Sequence, residues 1–177
     1  AHVTTHGAGG REKLMEVLGR KRGGGRSAGR DDEDAPRLSR LLRGAGASGR
    51  AERYSSMADD AALSEAKREA AMLFSAAESH LEAGEAAECR KVADSALAKF
   101  SALGTSGQEG YLDTLHVIVD SHRLEAYLDY DSPEEAERVA TEFLEEFTAD
   151  GNKRGEAVMK LALAEIGTDN VRLEKRR

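Results

Sequence analysis

The chain has 177 residues, of which 33% are Asp, Glu, Lys or Arg and only 5% are aromatic, with no Trp and a single cysteine, Cys89. One cysteine excludes an internal disulfide, no run approaches the roughly 18 apolar residues that span a bilayer, and a strand-rich fold would want more β-branched and aromatic residues. The net charge of −7 divides into +5 over residues 1–53 (12 Lys or Arg against 7 Asp or Glu) and −12 over residues 54–177 (14 against 26), a basic arm on an acidic body.

Residues 1–58 read as a Gly/Arg-rich extended arm. Its centre, "GRKRGGGRSAGR" (Gly19–Arg30), has no apolar periodicity and builds no packed element by itself. Two short islands have helical spacing: "REKLMEVLGRKR" gathers Leu14, Met15 and Leu18, and "APRLSRLLRG" gathers Leu38, Leu41 and Leu42. Each is too short to be helical alone in water. We therefore expect Leu14, Leu18, Leu38, Leu41 and Leu42 to be anchors that order against a partner. The basic arm could also meet the phosphates of a nucleic acid, although no aromatic is interleaved to stack on bases. The chain begins at Ala1, which fits removal of a presequence and an organellar site, plastid or mitochondrion.

From Asp59 the character changes to alanine-, leucine- and glutamate-rich helical pattern. Five helices are expected in residues 59–167. The first runs through "DDAALSEAKREAAMLFSAAESHLEAG" to a stop at Gly84. The second, "EAAECRKVADSALAKFSALG", stops at Gly104, and the third is "GQEGYLDTLHVIVDSHRLEAYLDY". The fourth, "SPEEAERVATEFLEEFTADG", has Ser132 as N-cap, Pro133 at its first position and Glu135 three after the cap, and it closes at Gly151. The fifth, "KRGEAVMKLALAEIG", ends near Gly167, leaving residues 168–177 as a short basic tail. The third helix is apolar on more than one face, through Leu112, Leu115, Val117, Ile118 and Val119, so it should be buried on several sides.

"KVADSALAKF" (Lys91–Phe100) returns 47 positions later as "RVATEFLEEF" (Arg138–Phe147). Val92 maps to Val139, Ala93 to Ala140, Leu97 to Leu144 and Phe100 to Phe147; Leu81 maps to Leu128, Gly104 to Gly151 and Glu109 to Glu156. A chance match of two amphipathic helices would not also carry over the turn glycine and the glutamate after it. We read two helix–turn–helix units, about 60–106 and 107–153, and a partial third.

In this pattern the chain resembles the tetratricopeptide-repeat superfamily in a loose, long-unit form. Ala77, Gly84, Cys89, Ala93, Ala96 and Leu97 stand at the family's small-residue crossing positions, followed in the second unit by Leu124, Tyr127, Ala136, Ala140 and Leu144. The family's early aromatic and closing proline are missing, the unit exceeds the usual ~34 residues, and HEAT-like hairpins share the spacing. The resemblance implies an all-α fold, a short right-handed stack of antiparallel helical hairpins with an extended N-terminal arm. It also implies a function in protein–protein interaction, and it places first helices along a concave surface.

Asp113, His116, Asp120 and Arg123 form one stripe on the third helix, at spacings of 3, 4 and 3. The plain reading is a solvated face with ordinary ion pairs; the functional one is a line of partner contacts. A metal reading would need ligands from another element. Cys89 at a small-residue crossing reads as buried and structural. No nucleophile–base pair, acid–base carboxylate pair or phosphate loop stands out, so we expect no catalytic residues, no metal, no cofactor and no enzyme. The expected function is that of a scaffold or accessory subunit whose partners are other protein subunits of a large assembly. The alternative is an RNA- or ribosome-associated protein using the basic arm.

Overall fold

Local stop signals account for the helix boundaries. The computed structural model describes residues 35–42, 47–129 and 131–175, which form seven α-helices with no strand among them: α1 (Ala35–Leu42), α2 (Ala47–Asp59), α3 (Glu65–Glu82), α4 (Ala86–Ala102), α5 (Gln108–Leu128), α6 (Glu134–Ala149) and α7 (Lys153–Glu174). The Ser64 side chain caps α3 by accepting from the Lys67 N–H, and Asn152 caps α7 by accepting from Gly155 at 3.0 Å. Gly84, Gly104 and Gly151 follow α3, α4 and α6 with φ of +84°, +61° and +67°, the left-handed conformation that ends a helix cheaply only in glycine. A four-residue 3₁₀ turn, Gly104–Gly107, joins α4 to α5.

Consecutive helices pack in pairs: α3 on α4, α4 on α5, and α6 on α7. Helix α5 touches α1, α3, α4, α6 and α7. This many neighbours is the reason Leu115, Val117, Ile118 and Val119 can all be fully buried although they cover more than one face. Each such side chain contributes about 1.5–3 kcal/mol relative to exposure. The helices α3, α5 and α7 lie beside one another, α5 touching both, with α4 and α6 packed on the same row. Ala93 and Ala140, which stand 47 positions apart, are both fully buried. The same device closes both later hairpins. A Cβ on Gly110 would lie 2.2 Å from the Phe100 ring, and one on Gly155 would lie 2.4 Å from the Phe147 ring, so each terminal phenylalanine rests on a glycine of the next helix.

The observed elements differ from expectation in three places. Residues 47–59, assigned to the extended arm, form helix α2 packed on α3, and α1 packs on α3 and α5. The Leu14 island and the "GRKRGGGR" run lie outside the described residues. Gly167 does not end α7; Met159, Ala162, Ile166, Asp169 and Leu173 continue one buried stripe past it at helical spacing, and this burial holds the last turns in the helix. The proposed cap at Ser132 does not form. Pro133 occupies the N-cap position of α6 and no side chain caps it, while the Ser132 N–H is taken by its neighbour Asp131.

Candidate functional site

The sequence "RAERY" on α2 supplies three side chains that reach across to α5. Tyr54 inserts its ring against Phe74 of α3, with centroids 4.0 Å apart, and edge-on to Phe100 of α4 at 5.7 Å. Its hydroxyl donates to Asp113 of α5 at 2.7 Å. Burial and the Asp113 charge push the phenol's pKa up, so it stays a donor. Arg53 lies 4.9 Å over the Tyr54 ring and donates to Glu109 at 2.7 Å and to Asp113.

One turn earlier, Arg50 enters a buried ionic network. Its Nη1 is 2.7 Å from His116 Nδ1, and its Nη2 is 3.4 Å from Asp120 and 3.7 Å from Glu78. Because a guanidinium can only donate, His116 Nδ1 is the acceptor and the ring is the Nε2–H tautomer, which donates to Glu165 at 2.9 Å. Burial works against a charge on this ring, but Asp120 and the bond to Glu165 outweigh it and raise its affinity for a proton. A proton added at Nδ1 would remove the acceptor that Arg50 uses.

Arg123 is the hub of the same network. It donates to Asp169 at 2.6 Å, to Asp120 at 2.7 Å, to Glu165 at 3.0 Å and to the Leu42 carbonyl of α1 at 3.1 Å. Burial raises the Asp169 carboxyl above its ordinary range, against the pull of Arg123. Four elements, α1, α2, α5 and α7, thus meet on one guanidinium or on its carboxylates. The adjoining crevice lined by Ser39, Leu42, Leu81, Asp120 and Leu124 leaves no room for a water molecule.

His116, Asp120 and Glu165 offer ligand atoms within 4.8 Å of one another, the spacing of a cation site. The Arg123 Nη1, at 2.7 and 3.0 Å from the two carboxylates, stands where an ion would have to lie. Metal–oxygen bonds are about 2.0–2.2 Å for zinc, so an ion bound to both carboxylates would collide with the guanidinium. The built-in cation of this cluster is Arg123.

The four residues of the sequence stripe therefore share a face as expected, but it is not a solvated face. His116, Asp120 and Arg123 are 6%, 5% and 3% exposed, and Asp113 is covered by Arg53 and Tyr54. The reason is that α2 covers the stripe from Asp113 to Asp120 while α1 and α7 close over Arg123, which turns the stripe into an interior contact. Of the leucine anchors, Leu42 is buried in the body and Leu41 is 53% exposed, Leu38 is half-buried, and Leu14 and Leu18 lie outside the described residues. Sequence reasoning missed Arg50, Arg53 and Tyr54, and on α7 Glu165 and Asp169. The signals were a spacing of 3 and 1 in "RAERY" and the persistence of the α7 stripe beyond Gly167. No helix among the described residues is long and apolar enough to cross a membrane. No family model matches the chain, and no curated protein or solved structure shows significant similarity to it.

Proposed function

We propose that this protein is a non-catalytic interaction subunit of a larger multi-protein complex, built as a short right-handed stack of tetratricopeptide-like hairpins and held in its assembly by the Gly/Arg-rich N-terminal arm. The observation that supports this best is the row α3, α5, α7, each with the helix that follows or precedes it packed at its side. Stacked hairpins present a continuous surface larger than any single hairpin could offer. The glycine stops at 104 and 151 and the phenylalanines at 100 and 147, each pair 47 positions apart, agree with a duplicated unit, and each phenylalanine rests on a glycine of the next helix, Gly110 and Gly155. The buried charges Asp120, Arg123 and Asp169 and the half-buried Arg50 form ion pairs that fix helix against helix, a positioning use of buried charge.

Affinity purification of the full chain from its cells of origin, with and without nuclease, tests the reading. Stoichiometric protein partners that survive nuclease are expected. Recovery of nucleic acid instead, with proteins lost on nuclease treatment, would favour the RNA-associated reading, which rests on the basic run "GRKRGGGR". A chain recovered alone would contradict both.

A further inference from the structure

Helix α2 is joined to the body in a manner unlike its neighbours. Helices α3, α4, α5 and α6 each bury a row of apolar side chains, whereas on α2 Tyr54 is the one large side chain that is fully buried among the described residues. The rest of its hold combines the half-buried Ala51, Met57 and Ala58, a hydrogen bond from Arg68 Nε to the Ala58 carbonyl, and ion pairs: Arg50 on His116, Asp120 and Glu78, and Arg53 on Glu109 and Asp113. Between α2 and α3 runs a groove of ≈ 560 Å³, lined from α2 by Glu52, Ser55 and Asp59 and from α3 by Ser75, Glu78 and Glu82. Carboxylates stand on both walls of that groove, and among the contacts that cross this edge is the pairing of Arg50 with Glu78. One aromatic anchor, two guanidiniums on an acidic surface and a wet flank are the composition of a docked ligand, not of a core helix.

We infer that α2 is an internal ligand. The face made by Phe74, Phe100, Glu109, Asp113, His116 and Asp120 is a docking surface for a helix of the pattern Arg-x-x-Arg-aromatic, and α2 occupies it until a partner helix of that chemistry displaces it. Three features select such a helix. The pocket between Phe74 and Phe100 takes a flat ring, Asp113 accepts its hydroxyl, and two acceptor groups follow one another along α5, Glu109 with Asp113 for the second arginine and His116 with Asp120 for the first. The covalent tether gives α2 an effective concentration in the millimolar range, of order 1 mM for a short linker. An outside helix therefore competes only where it binds better than α2 or where α2 has been weakened. The inference rests on the interaction reading above. Peptide exchange and co-purification are nevertheless independent measurements, and either can fail without the other.

The test uses the full chain and a labelled peptide of residues 47–59 as probe, followed by fluorescence anisotropy. Arg53→Glu sets a carboxylate against Glu109 and Asp113 and weakens the internal copy. Arg53 is 41% exposed, so the body has no core packing to lose. The variant is expected to bind the peptide at least about tenfold more tightly than the wild-type chain. A peptide with Arg50→Ala and Tyr54→Ala should bind to neither. If Arg53→Glu loses its cooperative melt, Arg53→Ala carries the comparison in the same direction with a smaller gain, less than about fivefold. Equal binding by a folded variant and the wild type would overturn the inference. So would a dimer formed by exchange of α2 between two copies, since the surface would then serve this chain's own helix and no partner's.

Discussion

The hairpin helices and helix α2 are fixed to one body by opposite means. Between α3, α4 and α5 the contact is apolar and close, with alanines at 0% exposure where helices cross and Phe100 resting on Gly110. At α2 the contact is one buried tyrosine, a few half-buried apolar side chains and a set of ion pairs. Apolar crossings supply most of the stability and tolerate little change in volume. Buried ion pairs contribute little net stability but determine which residue may stand opposite which. The difference teaches that apolar crossings and ionic pairings dominate in separate regions of one body, with Phe100 at the border between them.

The largest effect should follow from breaking an apolar crossing. Ala93→Arg or Ala140→Arg forces a charged side chain into a fully buried contact, at a cost on the order of several kcal/mol from overpacking and burial of charge. Thermal melts followed by circular dichroism should lose their cooperative transition. A retained midpoint would show the crossing to be open.

Next comes the hub of the polar network. Arg123→Ala leaves Asp120, Glu165 and Asp169 without their shared cation, and removing one partner of a buried pair costs about 3–5 kcal/mol. Arg123→Met with Asp169→Leu should recover much of that loss in urea melts, because the most deeply buried charge goes together with its partner. A double variant no better than the single would mean that Arg123 serves packing and not charge balance.

The body's own polar inclusion, His122, offers a pH test. Burial and the nearby Arg90 lower its pKa from 6.5 to about 4. Between those values the unfolded chain binds a proton that the folded chain refuses. The stability is therefore present above about pH 6.5 and is lost as pH falls toward 4, by on the order of 2–3 kcal/mol. His122→Gln should flatten the dependence in that window relative to wild type. His116 acts with the opposite sign, its raised affinity adding stability below the ordinary histidine pKa and losing it as pH rises, so only the difference between variant and wild type isolates His122.

A smaller loss is expected for Gly110→Ala. Its Cβ would meet a Phe100 ring already set edge-on to Tyr54, and accommodation should cost about 1–3 kcal/mol. Because Phe100 borders both regions, this substitution should loosen α2 as well as the hairpin.

How much of this was legible in the sequence follows the same division. Helices α3 to α6 were readable because apolar residues recur at helical spacing and glycines mark their ends. The burial of α5 followed from its apolar residues covering several faces. Helix α2 was not readable, since "ASGRAERYSSMAD" has no apolar stripe and folds only where α3 and α5 receive Tyr54 and the two arginines. The Asp113–Arg123 stripe was visible as a line of side chains on one face. Its destination was not, because its partners lie 46 positions away at Asp169 and 66 away at Arg50. Local patterns report which residues share a face, and long-range pairing decides whether that face meets water.

Native-state hydrogen exchange across a urea series tests the division most directly. Amides at 112–119 of α5 should exchange only through global unfolding, with a steep urea dependence. Amides at 49–56 of α2 should exchange through a local opening of lower free energy and a shallow urea dependence, since little surface is exposed when one aromatic anchor lets go. Arg53→Ala should speed exchange in α2 while changing global stability by less than about 1 kcal/mol, as befits a half-exposed ion pair. Equal free energies and equal slopes for α2 and α5 would contradict the account and make α2 an integral part of the core.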